Sequence, residues 1–271
     1  MKIDSYLSKT DRCGGTAIEI TPEVKIGGGN FQMIAGPCAV ESEEQICKIA
    51  QGIKEAGAAL CYAGTFKSQA SIHSFQGLGM AGITMLLKAK KRTGLPAASE
   101  IINEVRLSQF EHIDLIHVGP QNMQNTELLK ELGHTHKPIL LTRGMSSTLE
   151  ELLMSVEYIV SGGNDRIILC ESGIRTFEAA DRSCLDLSAV PILKSWTKLP
   201  VVVAPSYAAG ASGFVKPMAM AATVSGADGL LIEVHNDPNR ALCNGERALD
   251  LQTFMDLADV IRNIRPLSHQ Y

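Results

Sequence analysis

The chain has 271 residues, 45% of them apolar and 20% charged, with a mean hydropathy of +0.07, a formal net charge of −4 and a pI near 6.0. That length and apolar content bury a sizeable core, and an alternating α/β barrel reaches this size as one domain. The mild acidity leaves no basic footprint for nucleic acid or an anionic membrane, so the expected partner is a small molecule.

Seven cysteines, Cys13, Cys38, Cys47, Cys61, Cys170, Cys184 and Cys243, are scattered and include no C-x-x-C pair. An odd, unpatterned set indicates neither a disulfide framework nor a zinc knuckle and fits a reducing compartment. The opening "MKIDSYLSKTDRCGG" lacks the apolar centre of a signal peptide, and no run approaches the roughly 20 apolar residues of a membrane span. A cytoplasmic protein is expected.

In chain order, "TAIEITPEVKIGGGNFQ" alternates and is broken by Thr-Pro and three glycines, which predicts a β-hairpin. Eight short apolar runs come next, separated by segments of helical period: "FQMIAGPC", "AALCYAGTF", "LPAASE", "DLIHVGP", "KPILLTRG", "RIILCESG", "LPVVVAPS" and "DGLLIEVH". Continuous apolar strands buried on both faces predict a parallel sheet, and eight of them predict closure into a (β/α)8 TIM barrel, with the hairpin placed to plug its bottom. The expected organisation is an N-terminal extension and hairpin over 1–31 and the barrel over 32–271, a single domain overall. An open doubly wound sheet is the alternative. No G-x-G-x-x-G follows the first run, so no nucleotide cofactor is expected. The final "LQTFMDLADVIRNI" has helical spacing and should close the outer ring.

Chemistry in such a barrel sits where its strands end. The residues ending the eight runs are Cys38, Lys67, Glu100, Gln121, Arg143, Glu171, Tyr207 and Glu233. First and last strands are neighbours in a closed barrel, so Cys38 and Glu233 could share a cation; equally, Cys38 is the small buried residue that "AGPC" invites. Lys67 reads as a general acid, an imine-forming amine or an exposed loop lysine.

The words at these strand ends, "IAGPCAVES", "SFQGLG", "NMQN", "LLTRGMSSTLEE", "ILCESGIRTFE", "LDLSAVP" and "IEVHNDP", closely resemble the 3-deoxy-D-arabino-heptulosonate 7-phosphate (DAHP) synthase family, specifically its short type Iβ branch. The match runs in order from about residue 20 to about 262. The resemblance implies a (β/α)8 barrel assembled as a homodimer or homotetramer, which condenses phosphoenolpyruvate with erythrose 4-phosphate using a divalent metal at the head of aromatic amino acid biosynthesis.

Two sets of positions depart from that pattern. Of the Cys, His, Glu and Asp metal ligands that the resemblance implies, Cys38 and Glu233 are kept, whereas Tyr207 stands at the histidine of "PSHATG" and Asn244 at the aspartate of "ALSDG". A phenol and an amide in those places should lower divalent-metal affinity severely, and no tightly bound transition metal is expected. Among the cations that the resemblance assigns to phosphate and carboxylate groups, Tyr62 and Gln69 replace two arginines of the segment now reading "YAGTFKSQAS", which keeps Lys67. Gln121 replaces an arginine beside Asn122, Thr142 a lysine beside Arg143, and Ser172 an arginine beside Glu171. Such charge-assisted bonds are worth about 1.5–3 kcal/mol each, so losing five implies orders of magnitude in affinity for doubly phosphorylated reactants.

The remaining Lys67, Glu100, Glu171, Arg175, Glu233 and His235 suggest a pocket retuned for a keto acid or aldehyde with fewer phosphates, in a specialised biosynthetic pathway, with little DAHP synthase activity. Lys67 would then act as general acid, or as an imine-forming amine if desolvation lowers its pKa. A catalytically silent binding or regulatory homologue and an ordinary DAHP synthase are the alternatives.

Overall fold

The structure, a computed structural model, describes residues 15–67, 71, 73–177 and 183–269. The alternating start forms strands β1 (Ile18–Thr21) and β2 (Val24–Ile26), paired antiparallel. Alternation places Ile18, Ile20 and Ile26 on one face, where they pack against Ile34, Leu60, Ala98 and Leu115 inside the barrel. The hairpin therefore supplies side chains to the barrel's interior core.

Each of the eight apolar runs marks one barrel strand, β5 extending one residue past its run: β3 (Gln32–Gly36), β4 (Leu60–Tyr62), β5 (Ala97–Ile101), β6 (Leu115–Val118), β7 (Ile139–Thr142), β8 (Ile167–Glu171), β9 (Val201–Val203) and β10 (Gly229–Glu233). The sheet is parallel and closed, β10 pairing with β3 from Gly229 opposite Gln32 to Glu233 opposite Gly36. The open-sheet alternative is thereby excluded. The strands are continuous apolar runs because both faces are covered, one by the interior cluster and the other by the helices.

Helices α1 (Glu43–Glu55), α2 (Met80–Thr93), α3 (Thr126–Gly133), α4 (Leu149–Ser161), α5 (Ala189–Trp196), α6 (Pro205–Ala209), α7 (Ser212–Val224) and α8 (Leu251–Ile264) lie around the sheet. Their starts are written locally. Thr148 accepts from the backbone of Glu151, whose side chain accepts from Thr148 in return, a reciprocal cap that ends the loop after β7. Ser42 and Asp250 cap α1 and α8. Between β5 and β6 a 3₁₀ segment, Glu104–Phe110, replaces the α-helix that the barrel pattern predicts. The Pro-Ser-Tyr stretch after β9 is the short helix α6, with Pro205 at its first position and Gly210 (φ +67°) ending it. No helix among the described residues is long and apolar enough to cross a membrane.

Candidate active site

Side chains two apart on a strand share a face. Leu60, Ala98, Leu115, Leu140 and Leu231 belong to the interior cluster. Tyr62, Glu100, His117, Thr142 and Glu233, each two residues further on, therefore project into the C-terminal mouth of the barrel, and all five are buried.

Lys67 enters the same mouth from the loop after β4. Its Nζ lies 3.5 Å from Glu100 Oε2, with both side chains 6% exposed. Two glycines make room for this pair. A Cβ on Gly64 would sit 2.7 Å from Lys67 Cδ, and one on Gly119 would collide with Glu100 Oε1. Burial opposes the ammonium, but Tyr207, Cys38, Glu100 and Tyr62 outweigh it and hold the Lys67 pKa well above the ordinary lysine value. The lowered pKa that imine chemistry needs is not found. Desolvation alone would have produced it; Tyr207, Cys38 and Glu100 together reverse the sign.

Tyr62 and Thr142, at two of the substituted positions, are joined through a residue that run-end reasoning passed over. Tyr62 Oη is 3.1 Å from His117 Nδ1, and His117 Nε2 is 2.7 Å from Thr142 Oγ1. Burial drives the His117 pKa down to about 4, with Glu100 opposing and Lys67 assisting. The imidazole is neutral, with one donor and one acceptor for its two neighbours. Two positions where the resemblance puts cations thus form a neutral bridge. His117 was legible from alternation alone, being two residues after the inward Leu115.

This burial has a pH consequence. With the folded pKa near 4 and an unfolded value of about 6.5, the unfolded chain binds the extra proton between those values, so His117 destabilises the fold as pH falls through that window, by about 3 kcal/mol in all. Urea unfolding at pH 7 and pH 4 should show that a His117→Gln variant loses correspondingly less stability on acidification; an equal loss in both proteins would remove His117 as the cause.

On the β3–β10 side, Cys38, Tyr207, Glu233 and Asn244 do come together. Asn244 has a left-handed backbone (φ +53°), which asparagine tolerates, and its Nδ2 donates to Cys38 Sγ at 3.0 Å. Cys38 Sγ also lies 2.8 Å from Cys243 Sγ. That hydrogen bond, burial and the nearby Glu233 push the Cys38 thiol pKa well up, which disfavours the thiolate a metal requires. Arg247 Nε donates to Glu233 Oε2 at 2.8 Å and Nη2 to Oε1 at 3.4 Å, while its Cζ stands 4.2 Å over the Tyr207 ring. Burial raises the Tyr207 phenol pKa as well. A site for the divalent ion that the resemblance implies does not fit here: an amide and a second thiol engage Cys38, and a guanidinium engages Glu233. Among the described residues no group of three or more His, Cys, Asp or Glu is arranged to hold an ion.

Residues 15–268 match the family described as DAHP synthetase I. The chain belongs to that family. It is 42% identical over 243 residues to phospho-2-dehydro-3-deoxyheptonate aldolase of Thermotoga maritima, covering 89% of this chain and 72% of the relative. The crystal structure of a Thermotoga maritima aldolase of that name superposes with a TM-score of 0.90 at 41% identity, over 94% of this chain and 75% of that one. A 2-dehydro-3-deoxyphosphooctonate aldolase of Geobacter sulfurreducens is 31% identical, over 90% of this chain and 95% of the relative. These relatives are aldolase-type synthases by name, and the Thermotoga maritima structure shares the barrel described above.

In this DAHP synthetase I family chain the other predicted residues fall outside the Lys67 cluster. Arg143 Nη1 bonds Glu171 at 3.1 Å and Asp186 at 2.8 Å. Burial raises the Glu171 pKa, against Arg143 and the Gly173 amide. Arg175 is exposed and lines a groove of about 570 Å³ with Arg143, Asp186 and Trp196. His235 Nε2 lies 3.4 Å from Glu41 Oε2 without forming a hydrogen bond. Asn122 spends its amide on Ile102 O and accepts from Asn125, and Gln121 is exposed at the rim. Ser172 Oγ is buried with no hydrogen-bond partner among the described residues. Gln69 lies outside the described residues. Instead of one charged pocket there are separate ion pairs: Lys67 with Glu100 and Arg247 with Glu233 at the mouth, and Arg143 with Glu171 and Asp186 on the helix-facing side of β7 and β8, where Leu141 and Leu169 also face. Arg247 was missed because it lies beyond the strand end, in a loop that returns through Leu249 N to Glu233 O at 2.9 Å.

Proposed function

We propose that this family member forms carbon–carbon bonds between a keto-acid donor and an aldehyde acceptor carrying fewer phosphates than the doubly phosphorylated pair implied by the family resemblance, in a specialised biosynthetic pathway. The observation that carries this reading is the single ammonium of Lys67, buried at 3.5 Å from Glu100 beside the neutral Tyr62–His117–Thr142 bridge. Condensation onto an aldehyde turns its carbonyl oxygen into a hydroxyl, and that oxygen needs a proton as negative charge develops. The donor carbon that forms the new bond gives up its C–H proton to solvent when the donor is a keto acid, whereas with phosphoenolpyruvate water adds at C2 and inorganic phosphate leaves. The aldehyde C=O π electrons move to its oxygen, and the protonated Lys67, held in place by Glu100, supplies that oxygen's proton and is reprotonated from solvent. Product formation from pyruvate or phosphoenolpyruvate with a panel of unphosphorylated and singly phosphorylated aldehydes, followed by NMR, tests the reading. Condensation with at least one unphosphorylated acceptor is expected, falling about 10²–10⁴-fold in Lys67→Gln. Activity confined to erythrose 4-phosphate would sink it.

The raised Lys67 pKa carries its own expectation. Borohydride with pyruvate should leave the intact mass unchanged, because an ammonium does not attack a carbonyl. A reduced pyruvyl adduct that disappears in Lys67→Gln would restore the imine route.

A second reading, a silent binding homologue, draws on the internal pairing of Lys67, Arg143 and Arg247, which leaves each of these buried cations satisfied without a ligand. A panel that yields binding by calorimetry but no product with any acceptor would favour it.

A further inference from the structure

We propose that the Arg247 guanidinium is a built-in cation, standing at the charge position of the divalent ion that the family resemblance implies and closing that position to metals. Glu233 is the residue through which both would bind. Its two oxygens meet Arg247 Nε and Nη2 at 2.8 and 3.4 Å, a side-on fork that uses the carboxylate fully. The Tyr207 ring, at the position the resemblance gives to a histidine ligand, lies under the guanidinium with 4.2 Å from Cζ to the ring centroid, so a phenol that is a poor metal donor becomes a good cation platform. Asn244, at the position of an aspartate ligand, turns an N–H donor toward Cys38 Sγ at 3.0 Å. The departures from the metal pattern are thus mutually consistent. Tyr207 and Glu233 hold the resident guanidinium, and neither the Tyr207 phenol nor the Asn244 amide is a good ligand for an ion.

The placement of Arg247 comes from the backbone as well as from its flexible stem. Leu249 N bonds Glu233 O at 2.9 Å and His235 N bonds Leu249 O at 2.9 Å, which folds the 3₁₀ turn Gly245–Arg247 back over the end of β10. The Arg247 side chain is 15% exposed and that of Glu233 is 4% exposed. A fixed positive charge at this depth repels a dication across a few ångströms of low dielectric and lowers its affinity by about 100-fold or more. Unlike a metal, a guanidinium neither ligates nor deprotonates water and keeps its charge at all working pH values, so the position holds one directional positive charge.

Cobalt(II) titration of the full chain, read by the thiolate-to-cobalt absorbance band and by elemental analysis after dialysis, tests this without reference to any substrate, so its failure is distinguishable from failure of the condensation reading. The unaltered protein is expected to show no band and no stoichiometric cobalt. Tyr207→His with Asn244→Asp restores the ligand types; with Arg247 retained, this double variant should bind cobalt at least about 100-fold more weakly than the triple variant that also carries Arg247→Gln. Equal affinity in the double and triple variants overturns the proposal, as does a folded triple variant that binds no cobalt. Stoichiometric uptake by the unaltered protein with a band lost in Cys38→Ala also overturns it, and that arm stands even if the triple variant fails to fold.

Discussion

Phosphoenolpyruvate and erythrose 4-phosphate supplied to the purified chain should give DAHP at least about 10³-fold more slowly than the Thermotoga maritima relative assayed alongside. Four of the five substituted cation positions lie among the described residues, and none holds a positive charge: Tyr62 and Thr142 bond His117, Ser172 presents a hydroxyl, and Gln121 is at the rim. Each lost charge-assisted bond is worth about 1.5–3 kcal/mol, so two that act fully already account for the expected loss. His117 deepens it, because a neutral imidazole bridging a phenol and a threonine adds no charge to hold a phosphate. Turnover within tenfold of the relative would show that other groups neutralise both phosphates and would remove the argument for a less phosphorylated substrate.

Arg247→Ala should cost about 3–5 kcal/mol of folding stability, measured by urea unfolding at pH 7. Glu233 is 3% exposed, and Arg247 is its ion-pair partner among the described residues. Removing the guanidinium leaves a buried carboxylate uncompensated and strips the Tyr207 ring of its cation. Adding Glu233→Gln should recover most of the loss, because an amide is far cheaper to bury than an unpaired carboxylate. If Arg247→Ala costs less than about 1 kcal/mol, the pair behaves as a solvated surface pair.

Much of the barrel was legible because its physics is local. Each of the eight strands is an apolar run, since both of its faces are buried, and the run order gives the strand order of a closed barrel. The hairpin showed in the alternation of Ile18 and Ile20, and α8 in the helical spacing of 251–264. One helix was not legible. The segment after β5 carries apolar residues but closes as the 3₁₀ turn Glu104–Phe110, of which Phe110 alone is buried.

For the site, sequence by itself determined which residue types stand at the strand ends: a lysine at 67, a phenol at 207, an amide at 244, and neutral side chains at 62, 142 and 172. What only the tertiary structure decided is which groups face one another, and with that the sign of their charge chemistry. Lys67 reads from its neighbours in the chain as a desolvated amine with a lowered pKa, yet Tyr207, Cys38 and Glu100, brought to it by other strands, keep it an ammonium. Tyr207 reads as a spoiled metal ligand, yet Arg247, from the loop after β10, makes it the platform of an ion pair. Burial and alternation act along the strand and leave a trace in the order of residues. Coulomb energy depends on distance in space, and closure of the barrel sets those distances between residues dozens of positions apart.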